Sequence, residues 1–198
     1  MTGTSENGND IKTSLAISDY AHYLYTRKIG LPEKYACKNL HTSCLIETSD
    51  KVLIFGIMGR DTAISGSVQC VGGGLDKKDI RGNRIDLSHN IKKELMEEVG
   101  IEVDDQKIVS SLELKYLKYS PKRNTAAAIF LLKLKISSDE FKKHYENFEK
   151  SLAEKGLVPE MGKIVYLKKE KKEIEKFIKN TDFQVDHYMS ALLLESLK

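Results

Sequence analysis

Residues Lys92–Ile101 read KKELMEEVGI. On a helix each residue advances about 100°, so Glu94, Glu97 and Glu98 stand at i, i+3 and i+4. They share one face, with roughly 5–6 Å between neighbouring β-carbons. Like charges so placed repel, by about a few kcal/mol per pair at most at an effective dielectric of ~20. An exposed face tolerates this, particularly with Lys92 and Lys93 adjacent. In a cleft it is unfavourable unless a cation lies among the oxygens. Hard dications take such oxygen ligands and often share them with substrate phosphates.

What precedes the stretch separates the two readings. The strand-like run SVQCV (67–71) leads straight into Gly72-Gly73-Gly74. Glycine there permits a positive φ or a close backbone approach to an anion. A polar loop, LDKKDIRGNRID (75–86), follows, and Ser88 is a candidate N-cap for a helix to about Val99, with Gly100 as its stop. The order is strand, glycine loop, acidic helix, glycine stop. Either feature alone is weak; together they favour a cation site over a solvated face.

Outward from this centre, TSCLIET (42–48) and KVLIFGIM (51–58) read as strands joined at Ser49-Asp50. KIVSSLELKYLKYS (107–120) and TAAAIFLLKLKI (125–136) are two long strands around a turn at 121–124. Residues 138–155 read as a charged amphipathic helix, GKIVYL (162–167) as a strand, and KKEIEKFIKN and QVDHYMSALLLESL as two closing helices. The fold class expected is α/β (α+β), a mixed β-sheet sandwiched between helices. Residues 1–10 read as a disordered tail. Residues 11–40 read as an extension packed on the domain, with a short helix from Tyr20 capped by Ser18 or Asp19 and stopped by Gly30 and Pro32. The domain proper is 41–198.

The chain has 198 residues, 40% hydrophobic and 31% charged, which suits one globular domain. A formal net charge of +3 gives little reason to expect nucleic acid. Three cysteines without a CxxC argue against a disulfide framework or a structural zinc, and read as reduced core thiols in a cytoplasmic protein. MTGTSENGND lacks the apolar core of a signal peptide. No apolar run approaches the roughly 18–20 residues of a membrane span.

The acidic stretch and its glycine loop resemble the Nudix box, G-x5-E-x7-R-E-U-x-E-E-x-G-U with U aliphatic. Lys93 stands where the family has Arg, and Glu94, Leu95, Glu97, Glu98, Gly100 and Ile101 match the remainder. From Gly73 to Lys93 the spacing exceeds the pattern by six residues, so the loop carries an insertion. The first Glu of the box is missing. Asp79 has its spacing from Gly73, and Asp86 lies nearer the helix.

The resemblance implies a Nudix-like fold and a metal-dependent hydrolase. Such an enzyme cleaves the pyrophosphate bond of a nucleoside diphosphate linked to another group, or of a related organic pyrophosphate, by water attack at phosphorus. It implies Mg2+, or else Mn2+, held by Glu97 and Glu98, with Glu94 a further ligand or the base that activates water. Gly73 or Gly74 would shape the loop and offer a carbonyl to the metal. Glu160, before a late strand, is the candidate for a further catalytic carboxylate, and Glu154 a lesser one.

For substrate the candidates are Arg60, Gly72, Gly73, Gly74 and Arg123. Asp61, Lys122, Tyr116 and Tyr119 stand beside them, although plain surface charge is the favoured reading for the four charged side chains and cross-strand packing for the two tyrosines. The apolar faces of the closing helices could lie on the sheet or form a homodimer. Three alternatives stay open. The first is a catalytically weak nucleotide-binding module, resting on the missing Glu and on Lys93. The second is an isoprenoid-diphosphate isomerase, resting on Cys70 before the glycine loop. The third is RNA decapping.

Overall fold

A computed structural model describes residues 3–7, 10–59, 65–120, 125–179 and 187–197. Two short strands, β1 (Gly3–Asn7) and β2 (Asp10–Ser14), pair antiparallel. β1 lies within residues 1–10. Helix α1 (Tyr20–Ile29) follows, capped by Asp19, which accepts from the His22 amide, and closed by Gly30. It leaves Tyr20, Leu24, Tyr25 and Ile29 exposed.

The central sheet is built from β3 (Asn39–Glu47), β4 (Val52–Met58), β5 (Val68–Gln69), β8 (Val109–Ser120), β9 (Thr125–Leu134) and β10 (Met161–Lys168). Between β5 and β8 lie a small hairpin, β6 (Ile80–Arg81) with β7 (Arg84–Ile85), and helix α2 (Leu87–Val99). Helices α3 (Ser138–Glu154), α4 (Lys171–Lys179) and α5 (His187–Glu195) complete the chain. The strand order is β10-β4-β3-β9-β8, with β5 also on β4. β3 runs parallel to β9, and every other pair is antiparallel.

Alternation along β3 explains the layers. Cys44 and Ile46 point into one core with Ile91, Leu95 and Val99 of α2 and Phe141 and Tyr145 of α3. Leu45 points into the other, with Ile174 of α4 and Met189, Leu192 and Leu193 of α5. A strand covered on both faces reads as an unbroken apolar run, which is how residues 52–58 look in the sequence. The mixed sheet between helical layers is the architecture expected. Among the described residues no helix is long and apolar enough to cross a membrane.

Two local expectations change. The N-cap of α2 is Asp86, whose carboxylate accepts from the His89 amide at 2.9 Å, and not Ser88. Asp outcompetes Ser here because Asp86 also closes the hairpin, its amide donating to the Asp79 carbonyl. The cysteines also divide: Cys44 and Cys70 are buried, but Cys37 is only half-buried, its thiol 3.4 Å from the Ser18 hydroxyl.

Candidate functional site

Glycine brings the loop after β5 onto two elements. Gly72 has φ +151°, and a β-carbon there would lie 2.3 Å from the Thr42 carbonyl oxygen. The backbone therefore runs against β3, with Cys44 N–H donating to Val71 O at 2.7 Å and Thr42 N–H to Gly73 O at 3.0 Å. Gly73 faces the acidic helix, and a β-carbon on it would sit 2.6 Å from the Glu94 carboxyl carbon. Gly74 has open space where its side chain would be.

A buried polar network ties this loop to α2. Asn90 is fully buried and satisfied. Its oxygen accepts from the Thr42 hydroxyl, and its amide nitrogen donates to Gly74 O at 3.1 Å and to Asp79 Oδ2 at 2.9 Å. Asp79, also fully buried, takes the Asp76 amide at 2.8 Å and lies 3.0 Å from His89 Nδ1. Burial alone would raise its pKa; these donors outweigh burial and hold the carboxyl below its ordinary value. Asp79 thus organises the loop before α2. Both carbonyls suggested for a metal, Gly73 O and Gly74 O, already accept one hydrogen bond each.

Lys93 crosses from helix to loop, 3.1 Å from Glu94 and 3.3 Å from Asp76. Burial disfavours its charge, but the two carboxylates more than offset this and raise its pKa. Further along α2, Glu98 is 5% exposed and accepts the Gly72 amide at 3.3 Å. Burial first, then the charges of Glu160, Glu94 and Glu97, push its carboxyl up to about 9. Glu94 is raised by burial, with Lys93 opposing and Glu97 and Glu160 adding. Glu97 and Glu160 are exposed. Glu160 sits at the start of β10, its carbonyl accepting from Gly59 at the end of β4, which sets its carboxylate near Glu98 across 62 residues of chain.

The structure therefore sets the glycine loop against Glu94 and Glu98, with Glu97 exposed on the same helix and the charge of Glu160 felt by both. It leaves Glu154 exposed at the end of α3, and Tyr116 and Tyr119 half-exposed on the edge strand β8. Arg60, Asp61, Lys122 and Arg123 lie outside the described residues. Cys70 turns into the opposite core, its thiol 3.5 Å from Met189 Sδ, and shares no face with the carboxylates. Asn90 and Thr42 escaped the sequence reading. The available signal was a polar residue on the core-facing stripe of α2, one turn before Glu94 and two before Glu98.

The donor set suits a divalent cation: oxygen groups only, mutually repelling, with the Glu98 carboxyl raised by burial and by the carboxylates around it. As the side chains stand, no three His, Cys, Asp or Glu among the described residues gather closely enough to hold an ion.

No protein-family model matches the sequence, and no curated protein is significantly similar to it. Solved structures do match. The protein DR0079 of Deinococcus radiodurans aligns with a TM-score of 0.52 at 10% identity, over 81% of this chain and 83% of that one. A bifunctional NMN adenylyltransferase/ADP ribose pyrophosphatase from Francisella tularensis aligns with a TM-score of 0.50 at 13% identity, over 90% of this chain and 47% of that one. Its complex with AMP and a manganese ion gives 0.51 at 12% identity, with the same coverage. This chain spans about half the length of the Francisella protein. At such identities the likeness is one of fold, and the fold is Nudix-like: a mixed sheet between helical layers.

Proposed function

We propose that the protein is a metal-dependent hydrolase of a nucleoside diphosphate derivative or a related organic pyrophosphate. The observation that carries this is the close approach of Gly73 to Glu94, which sets a side-chain-free backbone against a half-buried carboxylate of the acidic helix. Glu94, Glu97 and Glu98 would hold the ion, with Glu160 beside them. Bound there, Mg2+ or Mn2+ would screen the phosphates and lower the pKa of the attacking water.

The chain's own residues do the rest by positioning. Gly73 and Gly74 let phosphate oxygens approach the backbone. Lys93 orients Glu94. Glu94, held beside Lys93, is the candidate to take the proton of the attacking water where it is not itself a ligand. One protein of this fold, the Francisella enzyme, binds AMP and manganese, and the proposal extends that pairing to this chain. Three free cysteines suit the reducing cytoplasm.

A second reading is favoured by one observation, the absence of three gathered carboxylates among the described residues: a module that binds the nucleotide without cleaving it. The isomerase reading loses its cysteine, since Cys70 faces the other core. Phosphatase-coupled phosphate release separates the first two. The panel is ADP-sugars, dinucleoside polyphosphates, NADH, nucleoside triphosphates and capped RNA, each with Mg2+ and Mn2+. Turnover of one class, lost in a Glu97→Gln, Glu98→Gln double variant, is expected. Absence of turnover while a nucleotide still raises the melting temperature would replace hydrolysis with binding.

A further inference from the structure

The insertion that lengthens the loop is the β6–β7 hairpin, and its charges are segregated. Residues 76–86 hold three aspartates and four cations. All three aspartates serve the backbone or the helix. Asp76 accepts from the Lys78 amide and from Lys93, Asp79 is buried in the Asn90 network, and Asp86 caps α2. Lys77, Lys78, Arg81 and Arg84 are exposed.

Arg81 and Arg84 are direct cross-strand partners. Like charges directly opposite destabilise a hairpin, yet among the described residues no carboxylate pairs with either. The Arg81 guanidinium is instead oriented by its own backbone, donating to Lys78 O at 2.6 Å and Ile80 O at 3.2 Å. Gly82, at φ +63°, makes the tight turn that keeps the two arginines side by side. The base of the hairpin cannot drift, because Asp79 is tied to His89 and Asn90 of α2. From His89, Glu94 and Glu98 lie about 8 to 14 Å further along the helix axis.

We propose that Arg81 and Arg84, flanked by Lys77 and Lys78, form an anion subsite for an additional phosphoryl group of the substrate, beyond the diphosphate at the carboxylates. Two exposed arginines in cross-strand register offer N–H donors that match phosphate oxygens, and the anion removes their mutual repulsion. The subsite rests on the hydrolase reading only for its place beside the cleavage site. The substrate it fits is a small molecule with a chain of three or more phosphates, or with a separate phosphate monoester.

The test is calorimetric titration of the full chain with inorganic tripolyphosphate, pyrophosphate and orthophosphate in chelator-treated, metal-free buffer. The variants are Arg81→Gln/Arg84→Gln and, as a control on α4, Lys172→Gln/Lys176→Gln. Both pairs are exposed, and melting temperatures check that the variants fold. Tripolyphosphate is expected to bind the parent tightest, and to lose about tenfold or more in the arginine variant and under twofold in the lysine variant. Equal losses in both variants, or none, would overturn the subsite. Orthophosphate binding as well as tripolyphosphate would overturn the substrate extension in favour of a free phosphate site. A 5′-triphosphate RNA outbinding tripolyphosphate would overturn it in favour of a nucleic-acid strand. Neither metal nor turnover enters the assay, so a failed hydrolase reading leaves its outcome readable.

Discussion

Gly73 and Glu94 approach so closely that a β-carbon on the glycine would fall 2.6 Å from the carboxyl carbon. The atoms it would meet are the far end of a flexible side chain, so Gly73→Ala is expected to fold. Glu94 must then leave its position. The expected result is a melting temperature within a few degrees of the parent and turnover reduced by about a hundredfold, the scale of a 1 Å misplacement at a reacting centre. Gly72→Ala should behave oppositely, since its β-carbon meets the Thr42 backbone, and loss of folded protein on heating is the readout. If Gly73→Ala retained full activity, the placement of Glu94 would be irrelevant to catalysis.

Asn90→Ala removes the donor to Gly74 O and Asp79 and the acceptor of the Thr42 hydroxyl, all in a dry setting. Each orphaned buried group costs about 1–3 kcal/mol, so a loss of roughly 2–4 kcal/mol is expected by denaturant titration. Asn90→Asp should be worse than its size suggests, because it sets a second carboxylate against Asp79. A change under about 0.5 kcal/mol for Asn90→Ala would mean that water replaces the network.

Glu98 makes stability depend on pH with a definite sign. Its carboxyl sits at about 9 in the folded chain and near the ordinary carboxylate value when unfolded. The folded form thus binds more protons between these values, so Glu98 supports folding below the unfolded pKa, and that support is lost as pH rises toward 9. Glu98→Gln should melt higher than the parent at pH 8 and show a shallower decline from pH 5 to 9. The raised Glu94 leaves a residual slope of the same sign. Parallel pH curves for parent and variant would contradict the burial of Glu98.

Divalent cations should reverse that loss. Binding requires the ionised carboxylate and releases a proton, so stabilisation by Mn2+ should grow between pH 6 and 9 and vanish on adding chelator. Buffers of differing ionisation enthalpy would report the proton. No thermal shift with Mg2+ or Mn2+ at any pH would remove the cation from the site.

Lys93→Met leaves Glu94 and Asp76 without their shared partner. Turnover should fall while folding survives, and Lys93→Arg should restore much of the loss, since a guanidinium reaches both carboxylates. Equal activity in all three proteins would assign Lys93 to the surface.

Much of this was legible along the chain, for a local reason. The 3.6-residue spacing of Glu94, Glu97 and Glu98, the stop at Gly100 and the apolar run of residues 52–58 are each contained within or directly beside one element. Asp79 was identified by spacing, yet its partners were not, because His89 and Asn90 read as ordinary helix residues until the loop closes onto them. The Ser88 expectation failed for the same reason: Asp86 gained the cap through its bond to Asp79, and local propensity could not see that bond.

Residue order alone marked the long strands of the central sheet, the helices, the glycine loop before the acidic helix and the candidate carboxylates, since these depend on short-range periodicity and backbone sterics. Only the folded chain decided how deeply Glu98 is buried, that the charge of Glu160 reaches it from 62 residues away, and that Asn90 holds the loop. Only folding placed β3 parallel to β9 and paired Arg81 with Arg84 across the hairpin. Burial, long-range charge and hydrogen bonds between distant segments exist only once the sheet has brought its strands together.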